Sequence, residues 1–552
     1  MKLSRFSLLA LLLAFVWAGC QDLSVENPNN PDRTRALAEP NDVEALVSNL
    51  FTEYWNATQG CNGSPMLSTM ADQHSCSWAN WGMRDMSSEP RIAWDNSSSY
   101  SRRASTEGPW FDNYTGISNA IDGLRAVEEN EQAFIDAGID VNRLRAFARF
   151  NMGLMHGHLA LFFDKAFVVD ESVDLEAVAL GQVELPTQPY NEVMQRAIGF
   201  LDEAIAIAQA NSFTIAASDD WIFGLDVDNQ RLIRLANSYA ARFMAQVART
   251  PEERAAVDWN EVIRRIDAGI VEDFAPIGDD NGDQEWDCLK WAGSEGRTWS
   301  RADYRTIGPA DESVCDPNDG KINCFQEWLD TPLQDRLVFD VHTSDRRIVG
   351  SADDPTVDGK DFQYQGDNGP FPPARGTYHY SSHNPFRYKY YRDNGANGAM
   401  PVMLKAEMDL LKAEALLRTG GSTQMVADLI NNTRVPRGEL NPALATDAVG
   451  SPDDPQNHRD GASLWAKLKH EKRIETFLTA AGLAFFDDRG WGDLVDNTPY
   501  HFPIPGKELE TLALQTYTFG GGGDASADDR GFAWKRAPTG GESRFTMDAR
   551  PQ

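Results

Sequence analysis

The chain reads as a mainly α protein whose helices pack against one another, joined by long irregular loops and carrying a few short strands. Three observations predict this. Apolar residues recur at the 3.6-residue helical period through successive long segments. The segment after Pro401 carries two apolar rows, Leu404–Met408–Leu411–Ala415 and Met403–Ala406–Leu410–Ala413–Leu417. Rows that wide require neighbours on more than one side, and the alanines let helix axes approach closely. Two long stretches rich in Gly, Asp, Asn, Pro and aromatic residues interrupt the helical pattern. Paired helices with small residues at their contacts build helical-repeat arrays, and no strict repeat is visible. The predicted fold is therefore a degenerate tetratricopeptide-like helical scaffold.

In chain order, Met1–Gly19 has the layout of a secretory signal. Lys2 and Arg5 supply its positive start, Leu8–Trp17 an apolar stretch too short to span a bilayer, and Ala18 and Gly19 the small pair a signal peptidase needs. Cys20 follows directly. This resembles the lipobox of bacterial lipoproteins, in which the thiol is acylated and becomes the first residue of the mature chain, although Trp17 stands where an aliphatic residue is usual. Residues 20–40, with Asn27, Pro28, Asn29, Asn30 and Pro31 together, are expected to form a lipidated tether.

Residues 41–273 are expected to be an N-terminal helical scaffold with a loop excursion at 60–109. Its stripes are Val43–Tyr54, Trp110–Leu124, Leu144–Leu159, Tyr190–Ala208 and Leu232–Val247, with Asp258 and Glu261 placed to cap a further helix at Trp259. Residues 274–400 form an irregular, aromatic-rich insertion in which Gly376–Tyr380 and Phe386–Tyr390 alternate like edge strands or hairpins. Helical periodicity returns over 401–519, and 520–552 is a Gly- and Asp-rich tail.

The formal net charge is −32, from 83 acidic and 51 basic residues. Such a chain is repelled by nucleic acid and by anionic membrane surfaces. The acids are scattered, which suits a solvated surface better than a cationic ligand. After Cys20 five cysteines remain, and export permits disulfides. Cys61 with Cys76 is the natural local pair, and Cys315 pairs with Cys324 or Cys288. Spacing alone leaves the connectivity open.

Three stretches carry a family resemblance. The first is Cys20-Gln-Asp-Leu-Ser-Val-Glu-Asn-Pro-Asn30. The second is Ala406-Glu-Met-Asp-Leu-Leu-Lys-Ala-Glu-Ala415, followed by Leu429-Ile-Asn-Asn-Thr-Arg434 and Arg437-Gly438. The third is Glu471-Lys-Arg-Ile-Glu475, then Gly482-Leu-Ala-Phe-Phe-Asp-Asp-Arg-Gly-Trp-Gly492, closing with Phe502-Pro-Ile-Pro505 and Glu508-Leu509. In this order they resemble the signatures of the SusD/RagB family of outer-membrane nutrient-uptake lipoproteins. Ala484 departs from that pattern where arginine is usual, and Asp488 where leucine is usual. The interval from Glu475 to Gly482 is also longer. The resemblance implies a tetratricopeptide-like scaffold with a ligand face built from loops. It implies a lipid anchor facing outward on the outer membrane, and a SusC-like TonB-dependent barrel as partner. It implies binding of oligosaccharides, or of peptides in RagB-like branches, without chemistry or cofactor, although some relatives carry a structural calcium. The motif residues Glu471, Arg473, Glu475, Asp487, Arg489 and Trp491 mix charge and apolar surface at helical or turn spacing. They are expected to hold the C-terminal helices through a buried ion-pair network.

The sequence lacks a P-loop, a GxSxG elbow, an HExxH and a GxGxxG-led nucleotide unit, so the chain reads as a binder rather than an enzyme. His156 and His158 do not share a helix face, and His379 and His383 lack a third ligand, so no metal site is expected. The aromatic residues are the better guide. A sugar ring offers an apolar face of C–H groups, which an indole covers, and a polar rim, which Asp, Asn and Arg bond. Asp72, Trp78, Asn80, Trp81, Arg84 and Trp94 supply both elements in the first loop region. Trp286, Trp291, Trp299 and Tyr304 do so in the insertion. These ten residues are the expected ligand face. The alternatives are that the tryptophans fill a core beneath long loops, or that the chain is a scaffold lipoprotein binding only protein.

Overall fold

A computed structural model describes residues 37–517, apart from 38, 77–79, 90, 92–93, 175–176, 179, 280–285, 295–300, 315–317, 319–322, 337–338, 352–353, 355–357, 367–380 and 496–497. The Cys20 anchor position, the tether up to residue 36, Gly376–Tyr380 and the tail from 518 therefore lie outside the described residues.

The mainly α architecture follows from the stripes. Helices α1 (Pro40–Ser48), α2 (Leu50–Gln59) and α3 (Ser64–Met70) are followed by α4 (Ala104–Asp136), α5 (Val141–Phe162), α6 (Tyr190–Ala210), α7 (Asn229–Gln246) and α8 (Trp259–Asp267). The insertion contributes the short helices α9 (Cys288–Gly293) and α10 (Cys324–Asp330). Then come α11 (Lys405–Thr419), α12 (Thr423–Arg434), α13 (Leu464–Glu475) and α14 (Leu483–Trp491). Each long helix packs on the next. The path runs α2–α4–α5–α6–α7–α8–α11–α12, and α13 closes against α11 and α12. This is the stacked arrangement that a helical-repeat scaffold requires.

Local chemistry sets the helix boundaries. Asp140, Asp228 and Asp258 each cap a helix by accepting backbone N–H bonds in the first turn of α5, α7 and α8. Small residues set the spacing. A Cβ on Gly153 would fall 2.7 Å from Leu201 of α6, and one on Gly157 would fall 2.1 Å from the Phe243 ring of α7. These two glycines on one helix let α5 lie close against both neighbours.

Strands occur only as two-stranded antiparallel pairs among the described residues, such as His74–Ser75 with Arg301–Ala302 and Phe362–Tyr364 with His383–Pro385. The expected strand at Phe386–Tyr390 is not one. The strand ends at Pro385, and Lys389–Asp393 forms a short helix that buries Tyr391 completely and leaves Tyr390 outside. The loop excursion after Gly60 is also more helical than its composition suggested, because Pro65 at the start of α3 presets a helical φ.

The expected local bridge is replaced by a long-range one. Cys61 is bonded to Cys288, 227 residues away, and ties the end of the first helical region to α9. Pairing of His74–Ser75 with Arg301–Ala302 carries Cys76 elsewhere, into a small buried cluster with Met83. Cys324 is disulfide-bonded as well, and Cys315 lies outside the described residues.

The C-terminal motif residues form the expected network of buried ion pairs. Arg254 reaches Glu414 at 2.7 Å and Asp487 at 3.0 Å, and Trp491 Nε1 donates to Glu414 at 3.0 Å. Arg347, fully buried, binds Asp345, Glu471 and Glu475 at 2.6, 2.7 and 2.9 Å. Arg489 donates instead to three backbone carbonyls, of Leu161, Tyr500 and Gln246, and so joins α5, α7 and α14. The fragments that carry the sequence resemblance thus tie the helices of the scaffold together. Among the described residues, no helix is long and apolar enough to cross a membrane.

Candidate ligand-binding site

The structure divides the expected ligand-face residues into three groups. Trp78 and Trp299 lie outside the described residues, as does the expected lipidation site Cys20. Trp94 and Tyr304 belong to the core. Trp94 is 2% exposed and meets Tyr100 and Phe502 edge-on, and Tyr304 is fully buried and stacks on Phe339 with ring centroids 4.4 Å apart. For these two, the reading of aromatic residues filling a core beneath loops is the correct one. The Tyr304 hydroxyl donates to the Phe339 carbonyl at 2.6 Å, so its polar end is already used.

The rest lie nearer the surface. Asn80 and Arg84 are exposed, and Arg84 pairs with Asp85 at 3.1 Å. Trp81 is half-buried, with a φ of 52° beside Gly82 at 73°. The two left-handed residues turn the loop so that the indole packs over Cys76 and Met83. Trp286 and Trp291 are half-buried and meet edge-on at 5.8 Å. The Arg392 guanidinium lies 4.2 Å over Trp291, and Trp55 Nε1 donates to the Trp286 carbonyl at 2.8 Å. The Cys61–Cys288 bridge sits between these two tryptophans in sequence and pins their segment to the scaffold.

Of the ten, Asp72 alone among the described residues lines one cleft of about 170 Å³. Its other walls come from the loop before α10 and from α10, both in the 274–400 insertion expected to form ligand-face loops, and from the 455–457 loop and α13, which the sequence had not assigned to a site. Pro309, Phe325, Leu329 and Pro455 give it an apolar side. Phe325 can lie there because residue 308 is glycine, where a Cβ would stand 2.3 Å from the ring. Asp72, Arg305, Gln456, Arg473 and Asp493 give it a polar side. The combination of a ring, prolines and hydrogen-bonding side chains matches the two-faced surface of a sugar.

The charges of this polar side are matched within the protein. Asp72 pairs with Arg91 at 2.7 Å, Arg305 with Glu89 at 2.9 Å, and Asp493 with Lys469 at 2.6 Å. Arg473 pairs with Asp488 and also donates to the Ala71 carbonyl. Burial works against the Arg473 charge, but the Asp488 carboxylate holds its pKa above the ordinary value. Some hydrogen-bonding capacity is left over: Asp72 Oδ1, Gln456 Oε1 and Arg473 Nε are buried without a partner among the described residues. The signal that could have pointed to this cleft was the polar run Gln456-Asn457 after Pro455, together with Phe325 and Trp328 behind Cys324.

Of the histidines considered as metal ligands, His379 lies outside the described residues, and His156, His158 and His383 are buried in the packing. His156 donates from Nδ1 to the Met152 carbonyl at 2.8 Å and accepts from Val169 N–H at Nε2, and burial lowers its pKa to about 4. His158 is buried beside Phe162, and burial lowers its pKa to about 3. No group of three or more His, Cys, Asp or Glu that could hold a metal forms among the described residues.

No family model matches the chain, and no curated protein does. Solved structures do match. A SusD superfamily protein from Bacteroides vulgatus aligns over 86% of this chain and 97% of its own, at 14% identity and a TM-score of 0.53. A SusD homolog from Parabacteroides distasonis aligns over 88% and 93%, at 14% identity and a TM-score of 0.53. A SusD-like carbohydrate-binding protein from Bacteroides fragilis aligns over 91% and 95%, at 15% identity and a TM-score of 0.52. Stacked helices and near-complete coverage in both directions agree, and the chain has the fold of the SusD superfamily.

Proposed function

We propose that this protein is a lipid-anchored solute-binding protein of the outer membrane. In this reading it captures oligosaccharides and passes them to a SusC-like TonB-dependent barrel. The observation that carries the binding role is the cleft at Asp72, Phe325 and Gln456, where an apolar wall faces polar side chains. A fold shared with a SusD-like carbohydrate-binding protein supports the same reading. The signal-like Met1–Gly19 ahead of Cys20 supports export and acylation at that cysteine. Trp81, Trp286 and Trp291, half-buried and outside the cleft lining, are proposed as further contacts for a chain longer than the cleft holds.

The test is a glycan and peptide array probed with the purified protein and with a Gln456→Ala, Trp81→Ala double variant. Selective glycan binding that the double variant loses supports the proposal. A peptide-only signal moves the protein to a peptide-uptake role. Silence toward both classes refutes solute capture of either kind.

A further inference from the structure

From the charge balance of the cleft we infer a class of ligand: one uncharged, hydroxyl-rich sugar unit, in preference to a uronate, an amino sugar or a charged peptide end. This inference rests on the saccharide-binding reading and narrows it. The cleft holds about 170 Å³, well below the roughly 300 Å³ at which pockets for drug-sized molecules begin, so it seats one ring at a time.

Its polar wall carries two acids, Asp72 and Asp493, and two bases, Arg305 and Arg473. Each has an opposite charge of the protein against it: Arg91, Lys469, Glu89 and Asp488 respectively. A ligand carboxylate would have to displace Glu89 or Asp488 to gain a guanidinium, and would lie against the carboxylates of Asp72 and Asp493. A ligand ammonium faces the mirror-image problem with Arg305 and Arg473. Moving an ionised group out of water without a counter-charge is costly, whereas a hydroxyl needs only a hydrogen-bond partner. The polar side chains of the wall serve hydroxyls of that kind, and the C–H face of a sugar ring fits Phe325 and Leu329. Gln456 is the adjustable member, because it is half-buried and its terminal amide torsion is soft.

The experiment is calorimetric titration, backed by saturation-transfer NMR, of the purified protein. The ligand panel comprises neutral hexose and pentose oligosaccharides of two to six units, their uronate and 2-amino counterparts, and short charged peptides. Gln456→Ala and Asp72→Asn are run alongside. Gln456 lies near the surface, so its variant should keep the wild-type melting temperature, and Asp72→Asn keeps a residue type that tolerates the left-handed φ of 50° found there. The inference expects a neutral series to bind at least tenfold tighter than either charged counterpart, with Gln456→Ala weakening it about 5- to 30-fold, the effect of one or two lost hydrogen bonds. A charged series that binds equally well and is sensitive to Gln456→Ala overturns the inference and leaves saccharide binding standing. Neutral binding that ignores both variants places the ligand elsewhere and overturns it too. If no saccharide binds at any concentration reached, both this inference and the saccharide reading fall.

Discussion

Replacing Arg347 by methionine removes one guanidinium and leaves the volume nearly unchanged, so it isolates the electrostatic part of the C-terminal network. In the native protein Arg347 donates to both oxygens of Asp345, at 2.8 and 2.6 Å, to both oxygens of Glu471, at 2.7 and 3.0 Å, and to Glu475 at 2.9 Å. All four side chains are buried. Burial opposes the charges, but Arg347 holds Asp345 well below the ordinary carboxylate value and contributes to holding Glu475 below it. Without Arg347 at least one carboxylate must take up a proton on folding. At pH 7, a group of ordinary pKa 4.5 pays about 3 kcal/mol to do so, and removing one partner of a buried pair costs about 3–5 kcal/mol in general. The loss of stability should therefore be about 3–5 kcal/mol at pH 7, read from urea unfolding curves of the two proteins. The sign of its pH dependence is fixed. Depressed carboxylates contribute stability above their ordinary values and lose it as pH falls through their folded values. The gap between Arg347→Met and wild type should shrink by about 1.4 kcal/mol per pH unit as the carboxylates protonate more easily toward pH 5. A loss under about 1 kcal/mol, or one that is the same at pH 7 and pH 5, would refute the account of this network.

Three further outcomes are expected. Burial pushes the Asp164 carboxyl up to about 7 even though Tyr517 donates to both its oxygens at 2.8 Å. A raised carboxylate gives stability that is complete below its ordinary value and lost as pH rises through the folded one. The wild type should thus lose up to about 4 kcal/mol between pH 4 and pH 7 from this group, and a pH series of unfolding curves on Asp164→Asn should show that slope gone. Opening the Cys61–Cys288 bridge with a Cys61→Ser, Cys288→Ser pair releases a loop of 227 residues. It should lower stability by about 3–5 kcal/mol and speed proteolysis of the Trp286–Trp291 segment, which peptide mapping would detect. Gly308→Ala places a methyl 2.3 Å from the Phe325 ring, so it should cost about 1–3 kcal/mol by thermal melting and weaken saccharide binding by pushing that ring into the cleft.

The scaffold was legible because its signals are local. The Tyr190–Ala208 stripe lies inside a helix of Tyr190–Ala210, and Asp258 caps the helix that it precedes. The motif charges were legible as structure because Glu471, Glu475, Asp487 and Arg489 sit at helical or turn spacing among apolar residues, and burial then demands partners for them. The partners themselves were not legible. Arg254 lies 160 residues from Glu414 and Arg347 lies 124 residues from Glu471, and no periodicity connects such positions. The same holds for Cys61, whose nearest cysteine in sequence is not its partner. The candidate site was legible only in part. Asp72 was chosen for its place beside a tryptophan-rich loop, and it lines the cleft from below. Trp94 and Tyr304 carry the same aromatic signal but sit in the core, since an indole or phenol serves packing and recognition through the same apolar area. Phe325, Gln456 and Arg473 come from three separated segments that meet only at the cleft.

The most direct measurement is a crystal structure of the protein with a bound neutral oligosaccharide from the titration panel. The account predicts one sugar ring in the cleft, its C–H face on Phe325, with hydroxyls in hydrogen-bond reach of Asp72, Gln456 and Arg473. A sugar seated instead on Trp286 and Trp291 with the cleft filled by solvent would contradict it.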